Sequence, residues 1–106
     1  METTIKKAKV CNLKSANGNA VPNQFIITEE GRGALGNFVR RETFQSYETV
    51  ICVKTIWPNE IRIELDQEKW NYSRTTGKYR NQFLGDTLAE TRRKIKSGEY
   101  ILTNLN

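Results

Sequence analysis

Residues 44–65 read FQSYETVICVKTIWPNEIRIEL, and this stretch decides the fold class. Residues 44–57 are rich in β-branched and aromatic side chains, which favour a strand. Trp57-Pro58-Asn59-Glu60 ends that strand, and residues 61–65 alternate apolar and charged side chains with a period of two, as a half-buried strand does. We therefore predict two strands joined as a meander hairpin.

Further strands are expected upstream. Residues 4–14 place apolar side chains among lysines, which is typical of an edge strand. The Asn17-Gly18 pair is the strongest short turn signal, and the β-prone residues 25–28 follow it, so we predict a hairpin with a long or bulged connection. Residues 31–36 fit the pattern G-x-G-x-x-G, but a dinucleotide site needs a helix opening at the third glycine, and no helical period follows. We interpret this glycine-rich segment as a loop between strands.

The pattern after residue 70 predicts two helices. Residues 73–76 supply N-cap hydroxyls, and Gly85 stands where a helix end favours a left-handed residue. Thr87 and Glu90 form a capping box that opens a second helix, which stops at Gly98.

The C-terminal residues 99–103 have strand character and are expected to return to the sheet. We predict one α+β domain over residues 1–106, with an antiparallel sheet of four or five strands and a C-terminal helical pair packed on one face. No apolar run approaches the roughly 20 residues of a membrane span, and no secretory leader is visible. We expect a cytoplasmic protein with no membrane partner.

The absence of histidine restricts the chemistry. It excludes imidazole acid–base catalysis, histidine-dependent nucleophiles and nearly all zinc or haem sites. The acidic residues clustered at 60–68 alternate with other side chains along a strand, which predicts a solvated ladder rather than a convergent acid pair or metal site. Cys11 and Cys52 are interpreted as reduced core thiols. We expect no catalytic residue, no metal and no cofactor, and hence no enzyme.

The positive charge is regional. The net charge is +5, and residues 70–106 contribute four of these five charges. Such a footprint is expected for a nucleic-acid partner or for an acidic surface on another protein, although a solvated helix face explains it as well. The candidate binding residues are Arg74, Lys78, Arg80, Arg92, Arg93 and Lys96 in the helical region, and Arg40 and Arg41 beside the glycine-rich segment.

The start of the first predicted helix is a candidate anion site. Arg74 and Lys78 gather there with the hydroxyls of residues 73–76, and unpaired amides and the helix dipole attract anions. Simple N-capping accounts for the hydroxyls as well. Four aromatic residues either stack bases beside this charge or belong to the core: Trp57, Trp70, Tyr72 and Tyr79.

The second predicted helix has a buried stripe of Leu88, Thr91 and Ile95. Glu90 and Lys94 are expected to form an i,i+4 ion pair. Three unpaired cations then project from the remaining surface: Arg92, Arg93 and Lys96.

The motifs Phe44-Gln45-Ser46-Tyr47, WNYSRTTGKY at residues 70–79 and Phe83-Leu84 together resemble a set of short, uncharacterised bacteriophage and prophage proteins. Their shared pattern is F-Q-S-Y … W-x-Y-S-x-T-T-x-K-Y … F-L. The resemblance brings no activity with it. It implies an accessory protein that acts in the host cell by stoichiometric binding to nucleic acid or to a host complex.

We therefore expect a non-enzymatic phage or mobile-element accessory protein that binds nucleic acid through its basic C-terminal helical region. The alternative is a stoichiometric, anti-CRISPR-like inhibitor that uses the same face, with or without the loop at residues 31–41, to bind a host defence complex, itself a nucleic-acid-binding protein assembly. The sequence leaves DNA, RNA and protein open as targets.

Overall fold

The six strands form one sheet in which each strand pairs with the next strand along the chain, and the two helices lie in sequence between the fifth and the sixth strand. The computed structural model describes residues 3–33 and 38–106. Its elements are β1 (Thr3–Lys14), β2 (Ala20–Gly33), β3 (Phe38–Ser46), β4 (Thr49–Trp57), β5 (Glu60–Asp66), α1 (Arg74–Leu84), α2 (Leu88–Ser97) and β6 (Tyr100–Thr103). The sheet order is β1-β2-β3-β4-β5-β6. Neighbouring strands are antiparallel except β5 and β6, which are parallel.

The α+β class and the C-terminal helical pair are confirmed, whereas the expected count of four or five strands is wrong. The main reason is that residues 44–57 are not one strand. The chain reverses at Tyr47 and Glu48, with Tyr47 at a φ of 54°. The Tyr47 amide donates to the Asn23 carbonyl at 2.7 Å, and the Gln45 side chain donates to the Tyr47 carbonyl at 2.8 Å. These bonds hold a turn that contains no glycine, asparagine or proline, so the run of strand formers concealed it.

The N-terminal hairpin is longer than expected. The predicted turn is present, since Gly18 has a φ of 82° and its amide donates to the Ser15 carbonyl at 2.9 Å. β2 extends well beyond the predicted residues 25–28, and it includes Gly31 and Gly33 of the glycine-rich segment. The rest of the predicted loop, residues 34–36, lies outside the described residues. β1 is an edge strand, as predicted.

Both helices pack on one face of the sheet. Phe44, Ile51 and Leu65 are fully buried at the centre of that face. The ring centroids of Phe44 and Phe83 lie 5.9 Å apart, and Tyr79 of α1 packs against the same cluster. The predicted arrangement, with the helices on one face of the sheet, is confirmed.

The two cysteines have different surroundings. Cys52 lies in this core with no exposed surface, and burial raises the pKa of its thiol. Cys11 is exposed, so the prediction that it is a core thiol is wrong. It lies on the edge strand β1, which has a neighbouring strand on one side only.

The helix ends follow their capping residues as predicted. The Ser73 side chain accepts from the Thr76 amide, and α1 ends at Gly85 with a φ of 73°. α2 opens with the predicted capping box of Thr87 and Glu90. The chain then returns through β6 to the β5 edge, so both helices lie within one crossover connection between parallel strands.

Candidate functional site

The eight basic residues expected to bind a partner fall into three groups in the structure. The first group is exposed on the helical layer and forms no ion pair within residues 3–33 and 38–106. We call this group the helical cations: Arg74, Lys78, Arg92, Arg93 and Lys96.

The second group, on β3, is neutralised by neighbouring carboxylates. Arg41 donates from Nε and Nη2 to the two carboxylate oxygens of Glu29 at 3.0 and 3.1 Å. This hydrogen-bonded pair raises the pKa of Arg41. Arg40 lies 3.0 Å from Glu42 and 4.0 Å from Glu30. Arg40 and Arg41 are therefore paired with carboxylates and add no unpaired charge to the helical cations.

Arg80 alone forms the third group, because it lies in the interior and not on the surface of the helical layer. Its side chain is 1% exposed. The guanidinium carbon lies 5.3 Å from the centre of the Trp70 ring, and Nη1 donates to the Trp70 carbonyl at 2.8 Å. Further bonds run from Nη1 to Asn71 at 3.1 Å and from Nη2 to Asn81 at 2.8 Å. Burial lowers the pKa of Arg80, and the nearby charge of Arg92 acts in the same direction.

A cleft of about 380 Å³ opens above Arg80. It lies where the turn before α1, the first turns of α1 and the start of α2 meet. Its lining combines two helical cations, the buried guanidinium, neutral polar side chains, a glycine and an apolar leucine: Asn71, Ser73, Arg74, Gly77, Lys78, Arg80, Asn81 and Leu88. This cleft encloses the predicted anion site at the α1 N-terminus.

The geometry of α2 is fixed by a buried acid. Asp86, just before the helix, accepts hydrogen bonds from Lys94 Nζ at 2.9 Å and from the Tyr100 hydroxyl. Burial pushes the pKa of Asp86 up, but these two hydrogen bonds and the positive charges of Lys94 and Arg93 outweigh it, so the pKa lies below its usual value. The expected pairing of Lys94 with Glu90 is therefore wrong. Glu90 accepts from the Thr87 amide instead, because the capping box holds it at the helix start.

The four aromatic residues are not equivalent. Trp70 and Tyr79 pack against the core cluster, and Trp57 is half-buried with the Arg62 guanidinium 5.5 Å from its ring centre. Tyr72 is 46% exposed, with Lys69 Nζ 5.4 Å from its ring centre. Among these four, Tyr72 is the one that offers a substantial ring surface to a partner.

Two residues that line the cleft were not predicted from the sequence. Asn71 and Asn81 orient the Arg80 guanidinium, yet nothing in their residue type marks them as more than turn and helix positions. The sequence does contain one indication of the cleft. Gly77 and Arg80 are three residues apart, so a position without a side chain lies beside the arginine on one helix face.

Among the residues that the structure describes, no group of three or more histidine, cysteine or acidic side chains is arranged to hold a metal ion. None of the helices described there has both the length and the apolar character that a membrane-spanning helix requires.

The fold and the site together define a small α+β protein that carries a basic helical layer on one face of an open sheet. The model of one protein family, described as "Family of unknown function (DUF8033)", matches residues 5–99, and the chain belongs to that family. Neither the curated proteins nor the solved structures contain a match to this chain.

Proposed function

We propose that this chain is a non-enzymatic accessory protein, of a phage or mobile element, that binds nucleic acid through its helical cations. One observation carries the proposal. The five helical cations are exposed and form no ion pair within the described residues, whereas the sheet arginines Arg40 and Arg41 are neutralised.

The acidic residues of the same region offset only part of this charge, because residues 70–106 contain seven basic and three acidic side chains. Asp86 is bonded to Lys94, and Glu90 is held by the Thr87 amide at the start of α2. Glu99 accepts from the Ser97 hydroxyl at 3.3 Å. The positive potential of the helical layer therefore extends into solvent, where it attracts a polyanion.

The chemistry favours backbone contact over base recognition. Cations of this kind neutralise phosphates and release counterions, and they carry no sequence information by themselves. Tyr72, exposed beside the turn that precedes α1, supplies a ring on which an unpaired base stacks. We therefore expect binding that tolerates sequence and prefers single strands.

Fluorescence anisotropy with labelled single-stranded and duplex DNA and RNA tests the proposal, with nuclease-treated protein at low and physiological salt. Five phosphate contacts give a log–log salt slope of about −4 to −5 for duplex DNA and about −3 to −4 for single strands.

A charge-matched pair of variants locates the surface. The triple variant Arg92→Glu, Arg93→Glu, Lys96→Glu should abolish binding without unfolding the protein, because all three side chains are exposed. The control Lys7→Glu, Lys9→Glu, Lys14→Glu makes the same charge change on β1, where these residues are also exposed. We expect the control to bind clearly better than the α2 variant.

Two results would overturn the proposal. One is equal loss of binding in both triple variants, which would indicate net charge alone. The other is no binding to any nucleic acid at low salt, in which case a stoichiometric protein partner, such as a host defence complex, becomes the leading function for the same surface.

A further inference from the structure

The buried guanidinium of Arg80 has no acidic partner. Every ion pair in the described part of the chain involves other residues, and the three acceptors around Arg80 are neutral oxygens. The nearby Cys52 thiol is itself protonated, because burial raises its pKa. Buried charges in proteins are ordinarily paired, since the cost of removing a lone ion from water is large. Arg80 is therefore a cation whose compensating anion is absent from its own surroundings.

The hydrogen bonds of Arg80 are also incomplete. A guanidinium has five N–H donors. Arg80 donates three hydrogen bonds, to Trp70, Asn71 and Asn81. Its Nε is buried and has no acceptor among the described residues. The bonds that exist fix the orientation of the group, so its charge is held in place before any partner arrives.

This fixed charge forms part of the wall of the 380 Å³ cleft, and the cleft lining adds groups that suit an anion. Arg74 and Lys78 are exposed at its edge, and Arg92 lies close enough to influence Arg80 electrically. The first turn of α1 contains no acidic residue, and Ser73 already satisfies the Thr76 amide. The helix dipole of an 11-residue helix thus points its positive end at the same space.

We propose that this cleft binds a single phosphate group. The fixed guanidinium of Arg80 forms the positively charged floor of the cleft, and Arg74 and Lys78 bind the phosphate from the edge. The inference deepens the proposed function, on which it rests, by naming one point at which a nucleic-acid phosphate is held. A terminal or free phosphate has the same chemistry, and the experiment distinguishes these sources.

Gly77 keeps the cleft open above the guanidinium. A Cβ at this position would lie 3.6 Å from both Nη1 and Nη2 of Arg80, and these are the atoms nearest to it. This is an ordinary contact distance, so the Gly77→Ala variant should fold at least as well as the parent protein while it covers the floor of the cleft. The substitution leaves every charge of the protein in place.

The test is a titration of ¹⁵N-labelled protein with inorganic phosphate, exchanged against chloride at constant ionic strength. The Arg80 Nε–H signal and the backbone amides of Arg74 and Thr75 report binding directly. We expect saturable shifts at these three positions. Gly77→Ala should weaken the affinity about tenfold, as expected for the loss of about one charge-assisted hydrogen bond, and the control Gln82→Ala, exposed on α1 outside the cleft lining, should change it less than twofold.

The same variants are then measured with an oligonucleotide that carries either a 5′-phosphate or a 5′-hydroxyl. Weaker binding of both forms by Gly77→Ala supports a phosphodiester of the backbone, and an effect restricted to the phosphorylated form supports a terminal phosphate.

If the oligonucleotide binds and Gly77→Ala has no effect, the cleft inference fails while the proposed function stands. If phosphate saturates the cleft and no oligonucleotide binds, the proposed function fails and the free ion is the ligand. Linear, unsaturable shifts that Gly77→Ala leaves unchanged would overturn the cleft site itself.

Discussion

Lys54 of β4 donates a hydrogen bond from Nζ to the backbone oxygen of Phe83 at 2.6 Å, and the same ammonium lies 4.4 Å from the centre of the Phe83 ring. Phe83 stands in the last turn of α1, where carbonyl groups have no partner within the helix. A cation from the sheet thus satisfies the C-terminus of the helix and complements its negative end. This contact fixes the distance between the sheet and the basic helical layer.

The Lys54→Met variant should therefore be less stable than the parent protein. It removes a charge-assisted hydrogen bond worth about 1.5–3 kcal/mol while it keeps most of the apolar stem. Urea unfolding followed by circular dichroism measures the change. Lys69→Met, which alters an exposed lysine over Tyr72, is the matched control and should shift the free energy of unfolding by less than about 0.5 kcal/mol. Equal effects of the two variants would contradict the capping role of Lys54.

Two buried threonines on the helices should respond in opposite ways to valine. The Thr91 hydroxyl is fully buried without a hydrogen-bond partner in the described chain, so Thr91→Val should stabilise the protein or leave it unchanged. The Thr76 hydroxyl bonds to the Ser46 hydroxyl at 3.1 Å, so Thr76→Val should cost about 1–3 kcal/mol by leaving a buried hydroxyl unpaired. Melting temperatures of the two variants check the sign of each effect, and a loss of stability in Thr91→Val would contradict the first.

The Asp86 contacts give stability a specific pH dependence. The folded-state pKa of Asp86 lies below its unfolded value of about 3.9, so its contribution is fully present above that value and is lost as the pH falls through the folded pKa. Burial, together with the hydrogen bond to Asp86, raises the pKa of Tyr100 to about 12, so stability should also fall as the pH rises above about 10.

Denaturant unfolding between pH 2 and 7 tests the acid limb of this dependence. Asp86→Asn should be less stable at pH 7 and should lose less stability than the parent on acidification. Glu48→Gln, an exposed turn residue with the same charge change, is the control. An acid limb in Asp86→Asn as steep as that of the parent would show that Asp86 is not responsible.

The two thiols should react at very different rates with a thiol reagent under native conditions. Cys11 is exposed, whereas Cys52 has no accessible surface and burial raises its pKa. We expect one equivalent of fast labelling, and labelling of Cys52 only as the protein unfolds. Mass spectrometry of a time course distinguishes the two, with Cys11→Ser as the control that should remove the fast phase. Rapid labelling of Cys52 in folded protein would indicate that the core opens readily.

The features that were predictable from sequence are those set by neighbours in the chain. Ser73, Thr87 and Gly85 determine the helix ends through contacts that span only a few residues, and all three were found where expected. The Tyr47 turn was missed because its backbone angle is held by a bond to Asn23, which is distant in sequence.

The burial of Arg80 was missed for a related reason. The buried positions of α1 are Thr76, Gly77 and Arg80, none of which a hydropathy pattern marks as interior. Arg80 is accommodated because Trp70 and Asn71 come from the preceding turn and meet the helix only in the folded chain. The exposure of the α2 cations, in contrast, could be predicted from the helical period alone, because placing Thr91 on the inner face puts these cations on the outer face.

The crossover that holds both helices between β5 and β6 has a consequence for folding order. The pairing of Ile63 with Tyr100 closes a loop that contains all of α1 and α2, whereas the strands from β1 to β5 pair with their immediate neighbours in sequence. Contacts of small sequence separation form sooner, because less chain entropy is lost in closing them. The meander is therefore expected to assemble first and the helical layer last. The basic surface should then be the final part of the protein to become able to bind a partner. Its amides should gain protection from hydrogen exchange together with those of β6.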